Sequence, residues 1–117
     1  MTPNDPSTDK REFKRIGRKF IMRVGTQLEN LFPVWSLVST HDFSAGGALF
    51  TMDQQVKEGD RVWIKIHFLE RVIDCRGKVV RLAPGFQKPL VRVGVVFESL
   101  SDEDREFIER FCVQFEA

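Results

Sequence analysis

Two short motifs carry the side chains best suited to chemistry in this chain. The first places Arg11 and Arg15 four residues apart in an RxxxR pattern, within a basic segment that suits an anion. The second is a DxSxxG pattern formed by Asp42, Ser44 and Gly47. Its carboxylate and hydroxyl can bind a ligand, or they can bond the local backbone of a turn in which glycine supplies a positive φ. Each motif alone leaves both interpretations open.

The charge of the chain is balanced in total and polarised along its length. The formal net charge of the 117 residues is +1. Residues 10–23 contain seven basic residues and one acid, whereas residues 98–117 contain seven acids and two arginines. The overall balance argues against a protein that coats nucleic acid, because such proteins carry a large basic excess. The basic stretch is therefore either an anion site or an exposed tail without a ligand.

Length and composition predict one small domain. A chain of 117 residues can bury a hydrophobic core without stabilising disulfide bonds. The two cysteines, Cys75 and Cys112, are too few for a disulfide scaffold. Cys75 lies in a strand pattern and Cys112 on an apolar helical stripe, and both are predicted to be buried thiols. No apolar run approaches the roughly 18–20 residues that cross a bilayer, and the N-terminus has no secretory signal. The sequence therefore predicts a cytoplasmic protein without membrane insertion.

No sequence motif predicts an enzyme or a metal site. Phosphate-binding loops, dinucleotide fingerprints and cysteine pairs with metal-ligand spacing are missing from the sequence. His41, Asp42 and Ser44 are the residue types of a hydrolase triad, but they lie within four residues of one another. A triad needs side chains that converge from separate elements. We therefore expect no catalytic residue, no metal and no cofactor.

Alternation of apolar and polar residues predicts a series of short strands. The clearest covers residues 61–70, where Val62, Ile64 and Ile66 share one face. Turn signals at residues 58–60 precede this strand, and turn signals at residues 83–89 separate the two predicted strands that follow it. The other predicted strands cover residues 20–24, 34–40, 48–51, 72–82 and 90–97.

At the C-terminus, the spacing of apolar residues changes from the period of a strand to that of a helix. Ser101 is a natural N-cap, and the three acids that follow it suit the first turn of a helix. One helical stripe then contains Phe107, Ile108, Phe111, Cys112 and Phe115. Six short antiparallel strands and one terminal helix predict a mainly β fold, a small barrel with a helix packed on it. The predicted segments are a leader over 1–9 and a domain over 10–117, with the barrel over 19–98 and the helix over 101–116.

The two motifs together resemble the PilZ domain family, a bacterial family of receptors for cyclic di-GMP. The resemblance rests on an RxxxR just before the first strand and a DxSxxG between later strands. Residues 77–81 and 93–97 also look like two late strands of the family, and the similarity covers roughly residues 10–115. It implies a six-stranded antiparallel β-barrel with a C-terminal α-helix, the fold already predicted from the residues.

The resemblance also implies a binding site. The Hoogsteen edge of guanine offers two acceptors to an arginine fork, and its opposite edge offers donors to a carboxylate. Ser44 can donate or accept at the base, and Gly47 lets the backbone approach the ligand. The implied ligand-binding residues are Arg11, Arg15, Asp42, Ser44 and Gly47, with Lys10, Lys14, Gly46 and Arg81 as secondary contacts.

The implied function is a receptor that signals by a ligand-induced change in protein–protein interaction with an unidentified effector. Residues 10–18 would form the N-terminal side of the site, and no nucleic acid is expected as a partner. Two alternatives stay open: a PilZ-like interaction module that does not bind nucleotide, and a small barrel that binds nucleic acid through residues 10–23. Lys10 stands where many members have a second arginine, and Glu12 adds an acid, so the number of bound ligands is not predicted.

Overall fold

Residues 20–27, 33–53 and 56–114 are described by a computed structural model, and this part of the chain forms six β-strands and one C-terminal helix. Their bounds are β1 Ile21–Gln27, β2 Pro33–Ser44, β3 Gly47–Met52, β4 Arg61–His67, β5 Val72–Pro84, β6 Val91–Phe97 and α1 Asp102–Gln114. The predicted leader over 1–9 and the ligand-binding segment over 10–18 lie outside the described residues.

The strands close into one antiparallel barrel. Their order around it is β1-β2-β3-β6-β5-β4, and β4 pairs with β1 to complete the ring. Closure gives each strand two neighbouring strands. The prediction of a six-stranded antiparallel barrel with a terminal helix is confirmed.

Alternation along the strands builds the core. Val62, Ile64 and Ile66 of β4 point inward and are almost fully buried, while Trp63 and Lys65 between them lie on the outer wall. The same period-2 pattern holds in β3 and in most of β5. Burial of these side chains in a closed ring is the main stabilising contribution.

The helix covers one end of the barrel through a cluster of phenylalanine rings. Phe68 lies 4.9 Å from Phe107 and 4.8 Å from Phe111, measured between ring centroids, in edge-to-face arrangements. The predicted N-cap is confirmed, because Ser101 Oγ accepts a hydrogen bond from the Asp104 backbone N–H at 3.1 Å. The helix ends at Gln114, and residues 115–117 lie outside the described part. Within the described part, no helix is long and apolar enough to span a membrane.

Strand β2 is longer than the sequence pattern predicts. The predicted strand ends at residue 40, but the observed one continues to Ser44. The register with β3 shifts between Thr40 and Asp42, so His41 is an extra residue in a β-bulge. A bulge interrupts the alternation from which the strand was predicted, and this explains why the prediction stopped too early.

Candidate functional site

The DxSxxG motif forms the hairpin that joins β2 to β3. Ser44 pairs with Gly47, and Ala45 and Gly46 form the turn between them. Ser44 Oγ accepts a hydrogen bond from the Gly46 backbone N–H at 3.0 Å. The Phe97 backbone N–H donates to the Gly46 carbonyl oxygen at 2.9 Å, which ties the turn to β6. The local-turn interpretation of Ser44 therefore holds in the structure, whatever the residue contributes to a ligand.

Gly47 is required by the barrel itself. A Cβ atom at this position would overlap the carbonyl oxygen of Val95 and lie 3.2 Å from the Cα of Val96. These are backbone atoms of the neighbouring strand, which cannot move aside as a flexible side chain would. Gly47 does not have a positive φ, so the conformational reason considered from the sequence does not apply here. The close approach of β6 is sufficient to explain the glycine.

The β-bulge decides which way Asp42 points. Thr40 is fully buried and faces the core. A regular strand would place residue 42 on the same inner face as residue 40, since successive side chains alternate. The extra residue His41 reverses this, and Asp42 pairs with Leu49 on the outer wall. The bulge therefore brings the carboxylate of the motif to the surface of the barrel.

A single row of paired residues joins Asp42 to Arg81 across four strands. Asp42 pairs with Leu49 on β3, Leu49 with Gly94 on β6, and Gly94 with Arg81 on β5. The row spans three strand spacings, or about 14 Å. Gly94 has no side chain, so the row has an open floor between Leu49 and Arg81. The carboxylate and the guanidinium therefore lie on one outer face of the barrel.

Arg81 reaches this face through a second bulge. The register of β5 with β6 shifts between Val79 and Arg81, which makes Val80 the extra residue. Val79 is buried in the core, and without the bulge Arg81 would share its inward direction. Arg81 is exposed, and no acidic residue in ranges 20–27, 33–53 and 56–114 forms an ion pair with it. Its guanidinium is thus available to a ligand.

Two further cations make this wall basic. Lys78 pairs with Val96 on β6, and Arg92 pairs with Thr51 on β3. Both cations lie on the same outer side as Arg81. Three positive groups on one wall create a potential that attracts an anion. The sequence gives no cue to this grouping beyond the residue types, because it follows from the strand order.

The three triad-type residues do not assemble into a catalytic group. His41 Nε2 lies 2.7 Å from Thr51 Oγ1, and the Ser44 hydroxyl bonds the turn backbone. Among the residues that the structure describes, no group of three His, Cys, Asp or Glu side chains is arranged to hold a metal ion.

The two cysteines are buried thiols, as predicted. Burial raises the pKa of Cys75 to about 12, with smaller contributions from the nearby carboxylates of Asp74 and Asp104. Burial raises the pKa of Cys112 to about 12 as well, with a smaller contribution from Glu109. Near neutral pH both groups stay protonated, and a protonated thiol is a poor nucleophile.

The structure brings together part of the predicted site. Asp42, Ser44, Gly46 and Gly47 lie in one hairpin, and Arg81 lies on the wall beside it. Residues that sequence reasoning missed are Leu49, Lys78, Arg92 and Gly94. The predicted contacts Lys10, Arg11, Lys14 and Arg15 lie outside the described residues and stay predictions.

Comparison with known proteins identifies the domain. The pattern of the PilZ domain matches residues 9–114. Among solved structures, the inhibitor of motility MotI/DgrA from Bacillus subtilis has a TM-score of 0.75 at 15% identity, covering 91% of this chain and 51% of that chain. YcgR from Escherichia coli in complex with c-di-GMP has a TM-score of 0.71 at 17% identity, covering 92% and 46%. The chain thus spans about half the length of these two proteins.

The isolated PilZ domain of YcgR with c-di-GMP matches with a TM-score of 0.63 at 16% identity, and 92% of each chain is covered. A comparison with curated protein sequences finds no match. At these identities the structural likeness concerns the fold. Because the PilZ pattern covers nearly the whole chain and the barrel with its helix agrees with it, this chain belongs to the PilZ domain family.

Proposed function

We propose that this chain is a receptor for cyclic di-GMP that signals by changing its contacts with another protein. The observation that carries the proposal is the outer row in which Asp42 and Arg81 flank the open floor at Gly94. Membership of the PilZ family supports it, as do the structures of YcgR and of its PilZ domain with c-di-GMP.

The chemistry of the ligand suits this wall. Asp42 accepts hydrogen bonds from the N1–H and N2–H groups of one guanine, and an arginine fork bonds the O6 and N7 acceptors of a guanine or a phosphate. Leu49 and Gly94, which are paired on adjacent strands, offer an apolar surface to a base or a sugar. The cations of the wall balance the two phosphodiester charges. Arg11 and Arg15 complete the site from the N-terminal side.

The direct test is isothermal titration of the full chain with cyclic di-GMP at moderate salt. We expect micromolar or tighter binding, and the stoichiometry gives the number of ligands bound. Absence of binding by titration and by a second method would contradict the proposal and leave a protein-interaction module. Oligonucleotide binding that weakens steeply with salt, without preference for cyclic di-GMP, would instead indicate a nucleic-acid-binding barrel.

Replacing Asp42 by asparagine is expected to weaken binding of cyclic di-GMP about tenfold, because the amide keeps one acceptor oxygen but loses the charge-assisted bonds. Asparagine has almost the same shape, so the hairpin is preserved. The measurement is the same titration, with a urea unfolding curve as the control for folding. Unchanged affinity in a folded Asp42→Asn protein would remove Asp42 from the site.

Binding is expected to protect residues 10–18 from proteolysis, because the proposed ligand bridges Arg11 and Arg15 to the barrel wall. Trypsin cleaves after lysine and arginine, so this basic segment offers many cleavage sites. Limited digestion with and without saturating cyclic di-GMP, followed by mass spectrometry, measures the effect. Equal cleavage of this segment in both samples would contradict the bridging mechanism while leaving binding itself intact.

A further inference from the structure

A second distinctive surface lies on the opposite side of the barrel from the candidate site. It is formed by the outer faces of β1, β2, β4 and the first half of β5, and in the closed ring β1 and β4 lie across from β6 and β3. We call this surface the tryptophan wall, because it contains both tryptophans of the chain. Its central residues are Arg23, Trp35, Leu37, Trp63, Lys65 and Arg76.

Strand register makes the wall continuous. In one row Trp35 pairs with Gly25, Gly25 with Trp63, and Trp63 with Arg76. The next outward-facing row runs from Leu37 through Arg23 and Lys65 to Asp74. The two rows are neighbours on the same face, because each step along a strand skips one inward residue. Aromatic, aliphatic and cationic groups therefore alternate over a single patch.

The indole of Trp35 lies flat on the barrel. Three of its ring carbons lie 3.1 Å from the position that a Cβ on Gly25 would take. Cations approach both indoles: Lys65 Nζ is 5.5 Å from the ring centroid of Trp35, and Arg76 Cζ is 5.7 Å from that of Trp63. The tryptophan wall thus contains two indole rings, each with a positively charged side chain beside it.

Apolar side chains on the wall are exposed to solvent. Leu37 is 67% exposed and Trp35 is 41% exposed, and Ile21 beside them is 47% exposed. Isolated exposed leucines are common on protein surfaces, but a contiguous patch that includes tryptophan is typical of an interaction surface. No part of the proposed nucleotide site accounts for this patch.

The charge of the wall is positive. Arg23, Lys65 and Arg76 are opposed by one acid, Asp74, whose carboxylate lies 2.8 Å from Lys65 Nζ. In the part of the chain that the structure describes, no acidic residue forms an ion pair with Arg23. A complementary partner surface therefore carries carboxylates together with apolar groups.

We propose that the tryptophan wall docks a segment of another protein that carries acidic residues beside apolar side chains. Tryptophan and arginine dominate the binding energy of protein interfaces, and arginine forks pair bidentately with carboxylates. The geometry disfavours a membrane, because interfacial binding buries an apolar face about 5–10 Å deep, whereas the indole of Trp35 lies flat. A second copy of this chain is also disfavoured, since two basic walls would repel each other.

This inference does not depend on the proposed nucleotide site. The two surfaces lie on opposite walls, so both can be occupied at once. Titrating every variant below with cyclic di-GMP separates the two proposals. Wall variants are expected to keep any nucleotide binding that the parent chain has, which also shows that they are folded.

The test is selection from a phage-displayed random peptide library on the immobilised full chain, followed by fluorescence titration with the selected peptides. Because both tryptophans lie on the wall, intrinsic fluorescence reports on this surface alone. We expect selected peptides that are rich in Asp or Glu beside large apolar residues, and a change in tryptophan emission when they bind.

Two substitutions that each introduce an acidic side chain on the tryptophan wall test the proposal. Leu37→Asp and Arg23→Glu are each expected to weaken peptide binding about tenfold or more, as for central interface residues. The matched controls are Leu69→Asp, at a fully exposed leucine outside the wall, and Arg110→Glu, on the helix. We expect less than about a twofold change in the controls, the usual result outside an interface.

Several results would overturn the proposal. The proposal is wrong if no peptide is enriched, or if the selected peptides are basic or uncharged. It is also wrong if the selected peptides bind the wall variants with the same affinity as the parent chain. Tryptophan emission that shifts to the blue with phosphatidylcholine–phosphatidylserine vesicles, and not with peptides, would identify a membrane surface instead. Self-association in sedimentation that Leu37→Asp abolishes would identify the occupant as a second copy of this chain.

Discussion

Replacing Arg11 or Arg15 by alanine is expected to weaken binding of cyclic di-GMP by about 10- to 150-fold each, because a charged hydrogen bond contributes roughly 1.5–3 kcal/mol. Both arginines belong to the RxxxR motif, which lies within the match to the PilZ domain pattern. Alanine removes the guanidinium fork that we propose bonds guanine or phosphate, and no other side chain of similar shape replaces it at that position. Isothermal titration of each variant measures the loss.

Arg18→Ala is the matched control for these variants. It removes the same charge from the same basic segment but lies outside the motif. We expect its affinity to stay within about threefold of the parent chain, as for a charge that contributes only screened, long-range attraction. An equal loss in all three variants would mean that the segment acts through its total charge. Normal binding by both Arg11→Ala and Arg15→Ala would show that the motif assignment is wrong.

Replacing Gly47 by alanine is expected to destabilise the fold by about 3 kcal/mol, at the upper end of the usual cost of overpacking. The added methyl group would overlap the Val95 carbonyl, so the pairing of β3 with β6 must open to accommodate it. That change is a large fraction of the stability of a small domain, which is about 5–15 kcal/mol. Urea unfolding followed by tryptophan fluorescence measures it.

Gly94→Ala serves as the control for this prediction. The same methyl group at Gly94 would meet only the Arg81 Cβ at 3.4 Å and the Leu49 Cδ1 at 3.9 Å as its nearest side-chain neighbours. These are ordinary contacts, so we expect the unfolding free energy to change by less than about 1 kcal/mol, the scale of a Gly-to-Ala change in a compatible conformation. Equal stability of the two variants would contradict the steric explanation of Gly47.

Much of the fold could be predicted from local patterns. The alternation in β4 follows from the need to bury one face of each strand, and Val62, Ile64 and Ile66 lie inside as expected. The helix start followed from Ser101 and the acids after it, because these groups satisfy and complement the first turn. Where alternation broke down at His41, the predicted strand ended too early.

The candidate site could be predicted only in part. The motif residues Asp42 and Ser44 were recognisable by type and spacing. Their environment was not, because the partners of a strand residue are set by register and not by distance along the chain. The row from Asp42 to Arg81 joins residues from four strands, and two bulges turn its ends outward. No local pattern in the sequence predicts such an alignment.

The sequence by itself determined the strand and helix periodicities from which a small barrel with a C-terminal helix was predicted, and the RxxxR and DxSxxG patterns, because these features depend on local periodicity and residue type. Only the tertiary structure decided the rest. The pairing of β2, β3, β6 and β5 placed Arg81 on the same wall as Asp42 and brought β6 close to Gly47. The pairing of β1 with β2 and β4 brought Trp35, Arg23 and Trp63 together on the opposite wall. These juxtapositions join residues far apart in the chain, so they exist only once the strands have paired.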